Sequence, residues 1–351
     1  MIVLIAFLAL ALGFGGFIAY KYYFAKDRVP SAKKKADNLV VSPLDGTKVA
    51  TDKANRHPLA IMVENHPQAR PQVGLDKASI IYEAITEGGI TRFMAVYGPN
   101  DAPKVGPVRS ARTYYIDWAS EFNAFYAHVG GNLDALDKIK QDGILDLDQF
   151  SLGDTAYWRE PEAGKAVEHT MFTSTDKLYD VAFNQKHWPA NGDYTALKFK
   201  EPLEKTLRGL GQKIQINFSS AEYNVSWTYD LETNTYLRSM AGAPHKDRDT
   251  GKQLSATNVI IQQMERWEAP TTINESGWAM QTTGSNKVKV FSQGKEIDGT
   301  WKKTDRTSRT IFYDDQGNEI TFAPGQFWIE IVPPDIFPDI KIETLASTTN
   351  S

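Results

Sequence analysis

Three short apolar runs in the first half of the chain constrain its fold more than any other feature. Separated by Pro and Gly residues, they are LAIMVEN (59–65), ASIIYEAI (78–85) and RFMAVYG (92–98). Runs of this length that are rich in β-branched and aromatic residues are typical of strands. Helical patterns follow at ARTYYIDWASEF (111–122), with Ser110 as the expected N-cap, and at LDALDKIK (133–140), capped by Asn132. The first half therefore predicts strands and helices around a sheet.

The sequence pattern changes near residue 213. Segments beyond it alternate or run apolar between Asn, Gly and Asp turns: IQINF (214–218), NVIIQQM (258–264), KVKVFSQG (287–294) and QFWIEIV (326–332). A charged connector, KFKEPLEKTLRGLGQ (198–212), precedes them. Strand patterns with few helical ones predict a mainly β second domain. We therefore expect one domain over residues 43–200, a second over 213–338 and a disordered tail over 339–351.

The first twenty residues, MIVLIAFLALALGFGGFIAY, contain no charged side chain. A helix of that length just spans a hydrocarbon core of about 30 Å. Because a basic start and a well-placed small-x-small site are missing, residues 1–20 predict an uncleaved transmembrane anchor rather than a cleaved signal. Residues 21–42 are polar and basic and predict a stalk. Under the positive-inside rule, the lysines and arginines of this segment would keep the rest of the chain in the cytoplasm. This rule alone does not decide the orientation.

The composition argues against several classes of function. The net charge of −4 does not fit a general nucleic-acid binder. The chain has no cysteine, which excludes disulfides, thiolate catalysis and lipid attachment to a cysteine. His66, His128 and His169 have no close metal-ligand spacing. We therefore expect neither a metal nor another cofactor.

The run VGPVRSAR (105–112), followed by HVGGN (128–132), carries the densest candidate chemistry. Arginines three apart share one helix face, and two glycines between a strand and a helix leave backbone N–H groups to face a ligand. The pattern predicts a pocket for an anion. The alternative is that each arginine pairs with a nearby carboxylate and ties loops to the sheet. The candidate ligand-binding residues are Arg92, Arg109, Arg112, His128, Gly130, Gly131, Glu83 and Glu87.

Two catalytic arrangements remain as alternatives. Glu83 and Glu87 precede a Gly-Gly turn, and paired carboxylates at a suitable separation hydrolyse glycosidic bonds. Ser110 could act as a nucleophile with His128 as base and Asp117 as the orienting group. Ser110 is better explained as a helix cap, and the Gly-x-Ser-x-Gly motif is missing from the sequence. His128 has its own alternative, a hydrogen-bonded structural histidine, so the residues leave catalysis open.

Several long segments of the chain are unusual in sequence and occur in a fixed order. They are VENHPQARPQVGLDKASIIYEAITEGGITRF (63–93), VGPVRSARTYYIDWASEFNAFYAHVGGN (105–132), APHKDRDTGKQLSATNVIIQQM (243–264), GTWKKT (299–304) and PGQFWIEIVP (324–333). Together they resemble the YerB-like proteins. These are bacterial envelope lipoproteins or membrane-anchored proteins, and the resemblance covers roughly residues 43–335. It implies a layered α/β sandwich followed by a β-rich domain, and an extracytoplasmic location. It brings no assigned catalytic residue.

The chain departs from the family pattern in two places. It lacks the lipid-attachment cysteine, which leaves the apolar N-terminal run as the tether. Around His169 it has AVEHTMFTS where the family suggests an Ala-Pro-His-Asn-like stretch. We therefore expect an α+β, membrane-anchored, extracytoplasmic binding or scaffold protein that recognises an anionic cell-wall glycan or an envelope protein. The alternative is a cell-wall polymer hydrolase or a phosphate-directed transferase.

Overall fold

The three apolar strands predicted in the first half are buried on both faces, as their continuous apolar sequences require. Every residue of Leu59–Glu64, Ile80–Ile85 and Thr91–Tyr97 is buried. Successive side chains of the first strand enter different hydrophobic cores, with Ile61 in one core and Met62 in the other. A strand that is covered on both sides has no polar face, which explains the run-like pattern.

The computed structural model describes residues 38–274 and 276–346. The strands of this part are, in chain order, β1 (Leu39–Val41), β2 (Lys48–Ala50), β3 (Leu59–Glu64), β4 (Ile80–Ile85), β5 (Thr91–Tyr97), β6 (Phe125–His128), β7 (Asp146–Asp148), β8 (Tyr157–Arg159), β9 (Met171–Thr173), β10 (Gln212–Asn217), β11 (Asn224–Asp230), β12 (Thr235–Met240), β13 (Ala243–Pro244), β14 (Ser255–Ala256), β15 (Asn258–Gln263), β16 (Arg266–Glu268), β17 (Trp278–Met280), β18 (Gly284–Ser292), β19 (Lys295–Lys303), β20 (Ile311–Asp314), β21 (Phe327–Val332) and β22 (Lys341–Thr344).

The α-helices of the described residues are short. They are α1 (Thr51–Ala54), α2 (Thr113–Ser120), α3 (Leu133–Gln141), α4 (Gln149–Leu152) and α5 (Thr175–Asp180), which a π-helical turn over Val181–Gln185 continues. Asn132 caps α3 by accepting a hydrogen bond from the amide of Ala135 at 3.0 Å, as predicted. The predicted cap of α2 is wrong. That helix begins after Arg112 without a side-chain cap, and Ser110 lies outside it.

One large mixed sheet organises the structure. Its ten strands lie in the order β20-β19-β18-β15-β21-β4-β5-β3-β6-β7. The central contact joins β21 to β4 in parallel, so strands from both halves of the sequence share this sheet. The predicted boundaries at residues 200 and 213 therefore do not separate two sheets. The chain from Leu39 onward forms one compact unit.

Two layers cover the large sheet. An antiparallel sheet, β13-β12-β11-β10-β22 with β14 beside β12, contributes Ile214 and Trp227 to one core. Helices α2 and α3 contribute Trp118 and Ile139 to the other core. The result is an α+β body, rich in sheet, with an antiparallel sheet on one face and helices on the other.

Three predictions concern the ends of the chain. The tail over 339–351 is not wholly disordered, because β22 pairs with β10 along residues 341–344. The prediction of a stalk over 21–42 is wrong for Leu39–Val41, because these residues form β1 and pair with β2. Residues 21–37 lie outside the described residues. The proposed anchor, residues 1–20, lies outside the described residues. Across residues 38–274 and 276–346, no helix combines the length and apolar character that a bilayer crossing requires.

Candidate functional site

A cavity of about 490 Å³ opens where the parallel strands β6 and β7 end. Ligand sites in sheets with parallel strands commonly lie beyond such carboxyl ends. We call it the Arg109 cavity. Its lining residues come from the segment before α2, the β6–α3 turn, the end of β7 with α4, and the region from β8 to β9: Arg109, Ser110, Val129, Gly130, Gly131, Leu136, Asp148, Phe150, Arg159, Val167, Glu168 and Met171.

Backbone hydrogen bonds place the two predicted motifs side by side. The amide of Val129 donates to the carbonyl of Arg109 at 3.1 Å, and the amide of Ala111 donates to the carbonyl of Gly130 at 2.9 Å. Gly130 has φ +56°, and a Cβ at this position would lie 2.9 Å from the ring of Phe150. Glycine therefore permits both the turn and the close approach of the aromatic ring.

One part of the anion prediction needs correction. The amide of Gly130 does not face a ligand, because it donates to Oδ1 of Asp148 at 2.9 Å. Asp148 also lies 3.5 Å from Nδ1 of His128. The turn is therefore held by a protein carboxylate. The Gly130 amide is therefore not among the groups of the cavity that can bind an anion.

Arg109 is the predicted arginine that reaches the cavity. Its side chain is 29% exposed, and its Nε lies 3.1 Å from Oε1 of Glu64. Among the hydrogen bonds of the described residues, none has the Arg109 side chain as donor. Arg159, which was not predicted, also lines the cavity and donates to the carbonyl of Val167. The guanidinium of Arg109 therefore keeps donors for a ligand carboxylate or phosphate.

An apolar rim faces the same cavity. Phe150 is 76% exposed and Val167 is 64% exposed, although both are large hydrophobic side chains. Glu168 lies at the rim as well, and a hydrogen bond from its own backbone amide is the main cause that lowers its pKa. With Asp148 and Glu168 beside Arg109 and Arg159, the cavity carries both signs of charge. A ligand with an anionic group and an apolar face fits this lining better than a bare anion.

His128 is a structural histidine in this arrangement. It is fully buried, with Nδ1 2.8 Å from the carbonyl oxygen of Gly130 and Nε2 2.9 Å from Oδ1 of Asp146. Both ring nitrogens are therefore occupied by oxygen acceptors. The predicted role of His128 as a ligand-binding residue is corrected to one of holding the turn beside the cavity.

Arg92 and Arg112 follow the alternative interpretation, in which arginines tie loops to the sheet. Arg112 donates to both carboxylate oxygens of Glu87 at 2.7 Å. Arg92 donates to the carbonyl of Ser110 at 2.7 Å, and burial is the main cause that lowers the pKa of Arg92 to about 10. Neither arginine lines the Arg109 cavity, so the predicted convergence of three arginines does not occur.

Glu83 is buried in the core between the two sheets. Its side chain has no exposed surface and forms an ion pair with the equally buried Arg238. Thr91 donates to Glu83 Oε1 at 2.6 Å. Since Glu87 is engaged by Arg112, neither carboxylate is available to a polysaccharide, and a hydrolase built on this pair is not supported.

The other catalytic alternative is also not assembled. Asp117 binds Lys138 at 3.1 Å and accepts from Thr282 at 2.7 Å. His128, which would serve as the base, is bound to Asp146 instead. Ser110 lines the cavity without either partner. No group of three or more metal-ligating side chains comes together within residues 38–274 and 276–346.

Sequence reasoning missed a cluster next to the cavity. His169 donates through Nδ1 to Oε2 of Glu64 at 2.8 Å, while Glu64 Oε1 faces Arg109. His66 stacks on His169 with ring centroids 4.8 Å apart. Glu64 and His66 lie in the Val-Glu-Asn-His stretch at the end of β3, but His169 is 105 residues from Glu64. No local sequence pattern connects residues so far apart, so no sequence signal indicated this cluster.

Two other concave surfaces lack these features. A cavity of about 550 Å³ is lined by Glu121, Asp142 and Asp193, and its Arg306 is engaged by Asp142 and Ser120. A groove of similar volume is mainly apolar and lies between Val41 and Phe199. The acidic cavity would repel an anion, and the groove offers no arginine. The Arg109 cavity is therefore the best candidate site.

Comparison with known proteins agrees with this fold. Residues 44–189 match the N-terminal domain, and residues 214–329 the C-terminal domain, of a family described as a protein of unknown function, DUF3048. The chain is 30% identical to "Putative lipoprotein YerB" of Bacillus subtilis (strain 168), over 88% of this chain and 89% of that protein. This chain belongs to the YerB-like DUF3048 family.

A solved structure supports the family membership. The crystal structure of YerB protein from Bacillus subtilis superimposes with a TM-score of 0.75 at 28% identity. The match covers 87% of this chain and 99% of that one. The family's two domains are thus present here as sequence units, and their strands meet in the ten-stranded sheet described above.

Proposed function

We propose that this YerB-like protein is a non-catalytic binding module on the outer side of the cell membrane, and that it recognises an acidic cell-wall glycan at the Arg109 cavity. The observation that carries the proposal is Arg109. Its partly exposed guanidinium donates no hydrogen bond within the described residues and lies beside the exposed ring of Phe150 in one cavity. A bound carboxylate or phosphate would take the arginine donors, while Phe150 would pack on a sugar ring.

The cell-surface location rests on two observations. The similar protein of Bacillus subtilis carries the word lipoprotein in its name. This chain has no cysteine for lipid attachment, and its charge-free first twenty residues would supply the tether. An envelope protein with an acidic, aromatic-binding segment is the alternative partner for the same cavity. The glycan is favoured because the cavity has the volume of a small-molecule site.

The direct test is co-sedimentation of residues 38–351 with purified cell-wall sacculi. Arg109→Gln should weaken binding by about tenfold or more, the cost of a lost hydrogen bond between charged groups. Phe150→Ala should weaken it by about two- to tenfold, the range for one aromatic contact. Because Phe150 is largely exposed, its loss should leave the melting temperature unchanged.

Arg112→Gln is the matched control, since Arg112 is engaged by Glu87 outside the cavity. This variant should keep full sacculus binding. The proposal is wrong if Arg109→Gln binds as the unaltered protein does while remaining folded. Release of soluble sugar fragments from the sacculi would instead favour the hydrolase, and capture of a single envelope protein would favour the protein partner.

A further inference from the structure

A chain of four side chains connects the Arg109 cavity to two histidines. Arg109 Nε lies 3.1 Å from Glu64 Oε1, and His169 Nδ1 lies 2.8 Å from the other oxygen, Oε2. His66 lies flat against His169, with the ring planes within 6° of parallel. Glu64 and His169 are both almost fully buried. One carboxylate is therefore shared by the ligand-facing arginine and by an imidazole.

The shared carboxylate sets the charge that a ligand meets. While His169 is neutral, Glu64 balances the charge of Arg109, and an incoming anion is repelled by the carboxylate. When His169 carries a second proton, the Glu64–His169 pair becomes neutral and Arg109 keeps a net positive charge. We propose that the Glu64–His169–His66 cluster couples anion binding at Arg109 to the uptake of one proton.

The surroundings of the histidines support uptake of one proton rather than two. His169 faces Glu64, His66, Arg109 and Glu168, and His66 additionally faces Arg70. Burial, followed by the charges of His169, Arg70 and Arg109, lowers the pKa of His66 despite the opposing effect of Glu64. Two stacked imidazolium rings would repel each other. Arg70 is itself held by the carbonyl of Asn65.

This inference rests on the proposed function, because it assigns a proton to the same anion site. Proton uptake and ligand binding are thermodynamically linked. An anion whose binding takes up a proton must therefore bind more tightly at lower pH. The affinity should fall by up to about tenfold per pH unit as pH rises, over the range in which binding takes up a proton. Glucuronate is a suitable probe, because its carboxylate stays ionised from pH 5.5 to 7.5.

The experiment is calorimetric titration of residues 38–351 with glucuronate in buffers of different ionisation enthalpy. The dependence of the observed heat on the buffer gives the number of protons taken up, which we expect to approach one within the range from pH 5.5 to 7.5. Glu64→Gln should abolish the uptake and raise the affinity at pH 7.5 to the level seen at pH 5.5. His66→Gln/His169→Gln should also abolish it but keep the weak affinity of pH 7.5 at both values.

Because these variants change the affinity in opposite directions, they separate proton coupling from a merely structural role. His187 is an exposed histidine outside the cavity lining, so His187→Asn is the control that should keep the proton uptake. Binding of glucuronate with no proton uptake and constant affinity from pH 5.5 to 7.5 would overturn the coupling and leave the proposed function intact. If the protein binds neither glucuronate nor sacculi at pH 5.5 and at pH 7.5, the proposed function is wrong, and the proton coupling is wrong with it.

Discussion

At the scale of single residues, the most unusual group is a pair of carboxyls in the core. Glu83 and Glu330 are register partners on β4 and β21, and neither has exposed surface. Arg238 neutralises Glu83, while Trp227 Nε1 donates to Oε1 of Glu330 at 2.8 Å. Burial first, and then the charge of Glu83, raises the pKa of Glu330 well above its usual range. Burial in the folded protein therefore favours the protonated form of Glu330.

Glu330→Gln should stabilise the protein increasingly as pH rises. The unfolded chain releases the Glu330 proton near its ordinary pKa of about 4.5, whereas the folded protein retains it. Stability is therefore lost as pH rises from that value toward the raised pKa, and an isosteric amide removes this loss. Urea unfolding at pH 4 and pH 8 should show a gain for the variant that is larger at pH 8. A variant less stable than the unaltered protein at pH 8 would contradict this account.

The Glu83→Gln variant provides the contrasting control. It leaves the guanidinium of Arg238 buried without a counter-charge, so the free energy of unfolding should fall by about 3–5 kcal/mol.

The contact between Glu83 and Glu330 could not be predicted from sequence patterns. The two residues are far apart in the chain, and only the β4–β21 pairing brings them together. Glu83 was predicted as a candidate ligand-binding residue, but its carboxylate forms a buried ion pair with Arg238 in the core.

At the scale of elements, Arg112 ties the β4–β5 turn to the start of α2. Burial acts to raise the pKa of Glu87, but the hydrogen bonds and charge of Arg112 outweigh it and lower that pKa. The stabilisation is therefore present above the ordinary pKa of about 4.5 and is lost as pH falls through the lowered value. Arg112→Gln should cost about 1–3 kcal/mol at pH 7.

Thermal unfolding at two pH values checks this prediction. The difference between Arg112→Gln and the unaltered protein should be large at pH 7 and should become smaller as the pH is lowered toward 3, because protonation of Glu87 weakens the pair. An equal difference at both values would show that the pair is not its source. The elements themselves were predictable: β3, β4, β5 and α3 lie where their sequence patterns indicate, because local propensity and burial agree there. The Ser110 cap failed because the carbonyl of Ser110 binds Arg92 and the helix starts three residues later.

At the scale of the whole molecule, the shared ten-stranded sheet joins the two sequence domains. β4 pairs with β21 along one edge, so a fragment that ends at residue 200 would expose the unpaired edge of an apolar strand. We expect residues 38–200 alone to aggregate, and residues 38–351 to unfold in one transition by circular dichroism and by tryptophan fluorescence alike. A soluble, cooperatively folded fragment would contradict this expectation. The change in sequence pattern predicted the boundary near residue 213. The pairing of β4 with β21 could not be predicted, because local sequence patterns carry no information about which distant strands pair.

The Arg109 cavity was half predictable for the same reason. Arg109 and the Gly130–Gly131 turn belong to two sequence motifs that backbone hydrogen bonds place side by side. Phe150, Arg159 and His169 come from later elements of the chain. Transverse-relaxation-optimised NMR of residues 38–351 titrated with glucuronate tests the central claim most directly. The account predicts saturable shifts at the Arg109 side-chain Nε–H and the Gly131 amide. Binding at the Arg109 cavity would be contradicted by shifts confined to the cavity that Glu121 and Arg306 line, or by the absence of a saturable shift at Arg109.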